Sequence, residues 1–343
     1  MHAIYHMTYF QAVVIGLIQG LTELFPISSL GHTVLIPSWF GGTWAILVSQ
    51  ESSAESPYLA FIVGLHLATA VVLLGYYAKT WGRIIRGFFT SIFSRRIESA
   101  DQKLAWLLVV ATVPVGAAGL LLEHPFRELF AKPLAAAIFL TINGVILGGA
   151  EVLRRREKAA GAAGVPQRKP VIQPAGVTQP ARSAGGGAHA AGVEPSRFRG
   201  ERDERDAMLD QDADQRLAGL GVKSALLIGA SQILALFAGI SREGVTMAGG
   251  LVRGLSHEDA LRFSFLLSTP VIFAAGALKL SDLTGPLGQG VRGQVIAGSI
   301  AAAATSLFAV VFLSRYFRTR TLTPFAIYCL AAGLISIIRF GIF

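Results

Sequence analysis

Six stretches of this chain each have the length and apolarity of a membrane span: Pro57–Tyr77, Leu104–Leu122, Leu134–Leu153, Ala260–Lys279, Gln294–Ser314 and Pro324–Phe343. Crossing the hydrocarbon layer takes about 20 mostly apolar residues, and a helix is the simplest segment that satisfies all its own backbone polar groups there. The expected fold class is therefore an all-α polytopic membrane protein. The charge content agrees. Only 15% of the 343 residues are Asp, Glu, Lys or Arg, against about 25% in soluble domains. The single cysteine, Cys329, excludes a disulfide framework and any multi-cysteine metal site. Met1–Thr8 has no Lys or Arg ahead of the first apolar run, so a cleaved signal peptide is not expected.

The formal net charge of +9 invites a nucleic-acid reading, but the positions of the charges oppose it. Lys79, Arg83, Arg86, Arg95, Arg96 and Lys103 lie between the first two spans. Arg154, Arg155 and Arg156 follow the third, and Arg315, Arg318 and Arg320 follow the fifth. If the spans alternate, all three groups fall on one side. The opposite connections carry only Arg127, Lys132 and Arg292. This is the positive-inside bias, so the basic side is expected to be cytoplasmic and to attract anionic lipid.

Residues 154–221 differ in composition from the rest. They hold twelve of the 30 basic and nine of the 21 acidic residues, and few large apolar ones. Such a segment cannot bury enough apolar surface to offset its ordering entropy, so a largely disordered cytoplasmic insertion is expected. It divides the chain into a first repeat (1–153) and a second (222–343).

The repeat is visible in two further apolar regions, Phe10–Val48 and Val222–Val252, which are broken by Pro, Gly, Ser and charged residues. Aligned at an offset of 213, residues 16–33 and 229–246 share seven identities in 18 positions: Gly16/Gly229, Gln19/Gln232, Leu21/Leu234, Ile27/Ile240, Ser28/Ser241, Gly31/Gly244 and Thr33/Thr246. Three spans follow each copy. If each copy is a re-entrant helical hairpin, three spans put the second on the opposite face from the first. The expected architecture is then a pair of inverted repeats, with six transmembrane helices and two re-entrant hairpins whose broken helices meet near the midplane. Non-helical backbone at that depth needs protein or a wet cavity around it.

The candidate chemistry gathers at these turns. Gln19 and Glu23 are four residues apart and share a helix face. An ionisable residue in an apolar helix is a functional candidate by default. Ser28, Ser29, Gly31 and His32 follow directly. Either serine can cap the next helix, whose start offers free amides to an anion. The second turn holds Gly239, Ser241, Arg242, Glu243, Gly244 and Thr246. A buried arginine needs an anion, and its planar fork suits phosphate. Serine, glutamate, histidine and arginine together point to phosphoryl chemistry. Ser28 pairs with Ser241 across the repeat, whereas Ser29 pairs with Arg242 and Glu23 with Leu236. The symmetric residues are candidates for a shared structural role, which favours Ser29 as nucleophile.

At these residues the chain resembles the bacterial undecaprenyl-diphosphate phosphatase family, also associated with bacitracin resistance. The resemblance covers nearly everything outside the insertion. Gln19, Glu23, Pro26, Ser28, Ser29, Gly31 and His32 match the family's first motif, and Gly239, Ser241, Arg242 and Thr246 match its second. The segment around His66 also resembles a family span. Ala238 stands where the second motif has proline, and Glu243 where it has serine. The resemblance implies removal of the terminal phosphate of undecaprenyl diphosphate, returning a lipid carrier for cell-wall synthesis. It also implies a divalent cation, Mg2+ or Ca2+, and a multi-pass protein of the bacterial cytoplasmic membrane with its site on the extracytoplasmic side.

The roles that follow are expectations. Ser29 attacks, with Glu23 or His32 as base and Arg242 stabilising the developing charge. Ser28, Ser241 and Thr246 donate to phosphate, with Gly239 and Gly244 allowing close backbone approach, and Glu23 and Gln19 hold the metal or the attacking water. The partners are the isoprenoid substrate and membrane lipids, with no nucleic acid; a homodimer is an admissible assembly. The alternative is a lipid-phosphate transporter or a catalytically impaired paralogue, since broken helices in inverted repeats also build transporters.

Overall fold

A computed structural model describes residues 7–49, 57–130, 132–163, 208, 210–278 and 290–342. Among the described residues the regular structure is all helical. The first broken region forms α1 (Tyr9–Leu24), α2 (Ser29–Phe40) and α3 (Gly42–Ser49). It is followed by α4 (Pro57–Tyr76), α5 (Ala78–Ser94), α6 (Ala100–Phe130) and α7 (Pro133–Ala163). The short α8 (Asp210–Ala218) precedes the second broken region. That region contains α9 (Val222–Ser231), a 3-10 turn (Gln232–Leu236) and α10 (Arg242–Val252). The chain continues through α11 (His257–Leu278), α12 (Arg292–Tyr316) and α13 (Thr323–Ile342). Among the described residues, five helices are long and apolar enough to cross a membrane, or up to seven spans if two bent helix pairs are each taken as one.

The packing is duplicated as the sequence repeat is. α1 lies on α12, and α9 lies on α6; α4 packs on α11 and α7 on α13. The paired glycines explain the first two contacts. A Cβ on Gly16 would come 2.3 Å from the Gly298 carbonyl oxygen, and one on Gly229 would come 2.0 Å from that of Ala111. Each glycine lets its short broken helix press backbone to backbone on a long one, the approach that small residues allow between membrane helices. Leu24, Val34, Leu140, Leu147, Phe263 and Phe265 close the core around the turns.

Two elements were not foreseen. The first span does not simply end in a basic connection. The chain turns 84° after Tyr76 and continues as α5, whose Thr80, Ile84, Gly87 and Ser91 are buried on the side facing α6. The insertion is also not disordered throughout, because α7 runs to Ala163 and α8 occupies its far end. The buried Arg262 of α11 explains α8. Its guanidinium donates to Asp214 at 2.8 Å and Asp210 at 2.6 Å, and Arg216 reaches back to Asp259 at 2.8 Å. A buried arginine requires such partners. The rest of the segment expected to be disordered, 164–207 and 209, lies outside the described residues.

Candidate active site

The two turns meet at Ser28. Its hydroxyl oxygen accepts from the Gly31 N–H, capping α2, and from the Gly239 N–H of the other turn, both at 3.2 Å. Its carbonyl accepts from Nδ1 of His32 at 2.7 Å. Ser28 has φ +71° and ψ 106°, a conformation that costs a non-glycine residue on the order of 1–3 kcal/mol. These three bonds hold it there. Ser241 caps α10 in the same way, accepting from the Gly244 N–H at 3.1 Å, but with an ordinary extended backbone. In the second turn the positive φ falls on Gly239, at +109°. A Cβ on Gly239 would come 2.4 Å from the Ala136 carbonyl oxygen of α7, so glycine is required twice over.

Asn143 of α7 ties the turns together. Its amide donates to the Pro26 carbonyl at 3.0 Å, and its oxygen accepts from the Ser241 N–H at 3.1 Å. The Ser241 hydroxyl donates to the Phe25 carbonyl at 3.3 Å, and that of Thr246 to the Arg242 carbonyl at 2.7 Å. The hydroxyls of Ser28, Ser241 and Thr246 are thus engaged by backbone in this structure.

One turn further, the reactive groups converge. Glu23, 2% exposed, accepts from the Ser29 hydroxyl and, at 2.9 Å, from the Gln19 amide through Oε2. Its Oε1 faces Arg242 Nη2 at 3.4 Å. His66 of α4 completes the group. Its Nδ1 donates to the Ile62 carbonyl at 2.9 Å, which leaves Nε2 3.1 Å from Gln19 Nε2 and 3.3 Å from Glu23 Oε2. A serine, two polar side chains and a guanidinium thereby surround one carboxylate. An uncompensated buried charge is expensive, and here a guanidinium and three hydrogen-bonding side chains compensate it. The hydroxyl donating to a carboxylate is the arrangement of a nucleophile beside its base.

The expected residues do not all join this group. His32 is turned away; its Nε2 lies 2.7 Å from the Tyr328 hydroxyl, and the two rings stack with centroids 5.7 Å apart. Among the described residues, no hydrogen bond joins it to Ser29 or Glu23. The Glu243 carboxylate accepts from Ser268 of α11 at 2.9 Å. His66 was visible as a histidine inside an apolar span, yet nothing in the sequence indicated which helix it faced. Asn143 and Ser268 gave no signal beyond being polar residues at membrane depth.

Among the described residues, two buried atoms in the group lack a partner: Oε1 of Gln19 and Nη1 of Arg242. An orphaned donor and acceptor beside a carboxylate suit a ligand that brings both negative oxygens and a cation. Among the described residues, no three His, Cys, Asp or Glu side chains form a metal cage. Mg2+ commonly uses only one or two carboxylates and completes its shell with substrate phosphates and water. The oxygens of Glu23 and Gln19 are of the kind such an ion takes.

These features define a class: a polytopic helical membrane protein with a Ser–Glu–His–Arg centre where two broken helices meet. The chain belongs to the bacitracin resistance protein BacA family, whose model matches residues 12–176 and 198–335. It is 53% identical to undecaprenyl-diphosphatase 2 of Frankia alni, over 98% of this chain and 99% of that protein. It is 51% identical to an undecaprenyl-diphosphatase of Mycolicibacterium paratuberculosis, over 97% of each. A third, from Gluconobacter oxydans, is 34% identical over 96% of this chain and 98% of its own length.

Proposed function

We infer that this chain is an integral membrane phosphatase that hydrolyses undecaprenyl diphosphate to undecaprenyl phosphate and inorganic phosphate. The observation that carries the chemistry is the hydrogen bond from Ser29 to Glu23, with Arg242 on the other carboxylate oxygen. Full-length similarity to named undecaprenyl-diphosphatases supports the substrate.

Ser29 Oγ attacks the terminal phosphorus as Glu23 takes its proton. The bond from that phosphorus to the bridging oxygen breaks, leaving undecaprenyl phosphate. Water then displaces Ser29 from the phosphoserine and releases inorganic phosphate. Arg242 meets the charge that develops on the equatorial oxygens, and its free Nη1 gives it a donor to do so. Gln19 and His66 orient the base. Ser28 and Ser241 hold the helix starts so that their backbone amides face the phosphate, with Gly239, Gly244 and Thr246 shaping that approach. His32 braces the Ser28 carbonyl and links the turn to Tyr328. A divalent cation, Mg2+ or Ca2+, would be held by Glu23 and Gln19 and would supply positive charge to the diphosphate. The isoprenoid tail lies against α12. Phe312 there stacks on Phe25 of the first turn.

The architecture we propose is six spans and two re-entrant hairpins in inverted repeats. The duplicated packing and the basic residues gathered on one side support it. The side we propose for the site, the extracytoplasmic face of the bacterial cytoplasmic membrane, is the one the family resemblance implies. The test is phosphate release from undecaprenyl diphosphate by the purified protein in detergent. Release that stops with chelator and returns with Mg2+ or Ca2+ is expected. Lipid binding without any release would favour the transporter reading.

A further inference from the structure

The helix after the 84° bend has three distinct faces. Thr80, Ile84, Gly87 and Ser91 are buried on one. Ile85, Phe89, Ile92 and Phe93 recur at helical spacing on another and are exposed, Phe93 by 85%. Lys79, Arg83, Arg86 and Thr90 form the third, and with Ser99 and Asp101 they line a cleft of about 580 Å³. Arg83 is held in place by Asp214 and by Asp101, at 3.6 Å from the latter. Lys79 and Arg86 have no carboxylate partner among the described residues. Among the described residues, the cleft therefore holds two cations without a carboxylate partner beside hydroxyls, next to an exposed apolar stripe.

α5 leaves the end of α4 at 84°, so with α4 as one of the proposed spans it runs along the membrane surface. A helix with one apolar and one basic face lies in the interface, with its apolar residues at the acyl boundary and its cations among the headgroups. We propose that the Lys79–Arg86 cleft binds the phosphate headgroup of an anionic phospholipid, with its acyl chains along Ile85, Phe89, Ile92 and Phe93. Lys79 and Arg86 donate to the phosphate and Ser99 to a headgroup oxygen, beside the Arg83–Asp101 ion pair. The unpaired cations select an anionic over a zwitterionic lipid. The site is separate from the Ser29–Glu23–Arg242 centre and does not depend on the activity assigned there.

Native mass spectrometry of the full chain released from nanodiscs tests this, with phosphatidylglycerol and phosphatidylcholine as probes. The wild-type protein should retain phosphatidylglycerol preferentially. Lys79→Gln with Arg86→Gln should weaken that retention roughly 30-fold, the effect of two basic residues near an anionic surface. Phosphatidylcholine retention and phosphate release should stay unchanged. Gly82→Glu is a second probe, because Gly82 lines the cleft with open space where its Cβ would be. It should abolish the preference without removing a contact. Arg95→Gln with Arg96→Gln, outside the cleft, should preserve it. Wild-type preference in the Lys79/Arg86 and Gly82 variants would overturn the proposal. So would an equal loss in the Arg95/Arg96 variant, which would reduce the effect to general surface charge.

Discussion

Ser28 and Ser241 cap equivalent helices through equivalent glycine amides, yet only Ser28 stands at positive φ. The second turn puts its positive φ on Gly239, where no side chain resists it. The first turn places it on a serine and restrains that serine with three hydrogen bonds. The residue after each cap differs in kind. Ser29 donates to Glu23 from the first turn, and Arg242 faces the same carboxylate from the second. A duplicated scaffold thus presents a serine and a carboxylate from one copy, and a guanidinium from the other. The strained backbone falls on the copy that bears the proposed nucleophile, as expected where a turn must aim a side chain.

The largest effect that could break this division concerns the second turn. Arg242→Ala should lower kcat for phosphate release by about 100-fold or more, because it removes the donor aimed at the transferred group. Arg242→Lys should recover only part of this, since an ammonium lacks the fork that can meet both Glu23 and phosphate. Near-wild-type turnover in Arg242→Ala would leave the second copy with a structural role alone.

The caps sharpen the comparison on the stability side. Ser241→Ala should cost about 1 kcal/mol, the usual value of a lost helix cap. Ser28→Ala should cost more, because it also strands the buried Gly239 N–H, a penalty of about 1–3 kcal/mol. Thermal unfolding in detergent measures both, and a smaller loss at Ser28 would contradict its role as the junction. The smallest effect is expected at Glu243. Its carboxylate is taken up by Ser268, so Glu243→Ser should change kcat/KM by less than about threefold. A large gain in affinity for undecaprenyl diphosphate would mean that this carboxylate repels the substrate instead.

Much of this was legible in the sequence because it is local or repeated. The offset alignment pairs Ser28 with Ser241 and Gly31 with Gly244, and these pairs form the two caps. Gln19, Glu23 and Ser29 lie within a few helical turns, so their meeting follows from helix geometry and one sharp bend. The departures arise from contacts between distant segments. His66 reaches Glu23 across two helices, while His32, close in sequence, turns to Tyr328 of the last helix. Local spacing cannot rank those two histidines. α8 escaped notice for a similar reason: Asp210 and Asp214 look like part of a charged tract until Arg262 is brought beside them. In α5 the helical spacing of Lys79, Arg83, Arg86 and Thr90 was readable, but the positive-inside rule alone explained those charges and the separate helix after the 84° bend was missed.

The central claim is that Ser29, not its capping neighbour, carries the reaction. It is tested most directly by phosphate release from undecaprenyl diphosphate by purified Ser29→Ala and Ser28→Ala variants, at equal amounts of folded protein with divalent cation present. The account predicts a loss of about 100-fold or more for Ser29→Ala with the substrate still bound, and a much smaller loss for Ser28→Ala. Wild-type release by Ser29→Ala, or loss confined to Ser28→Ala, would contradict it.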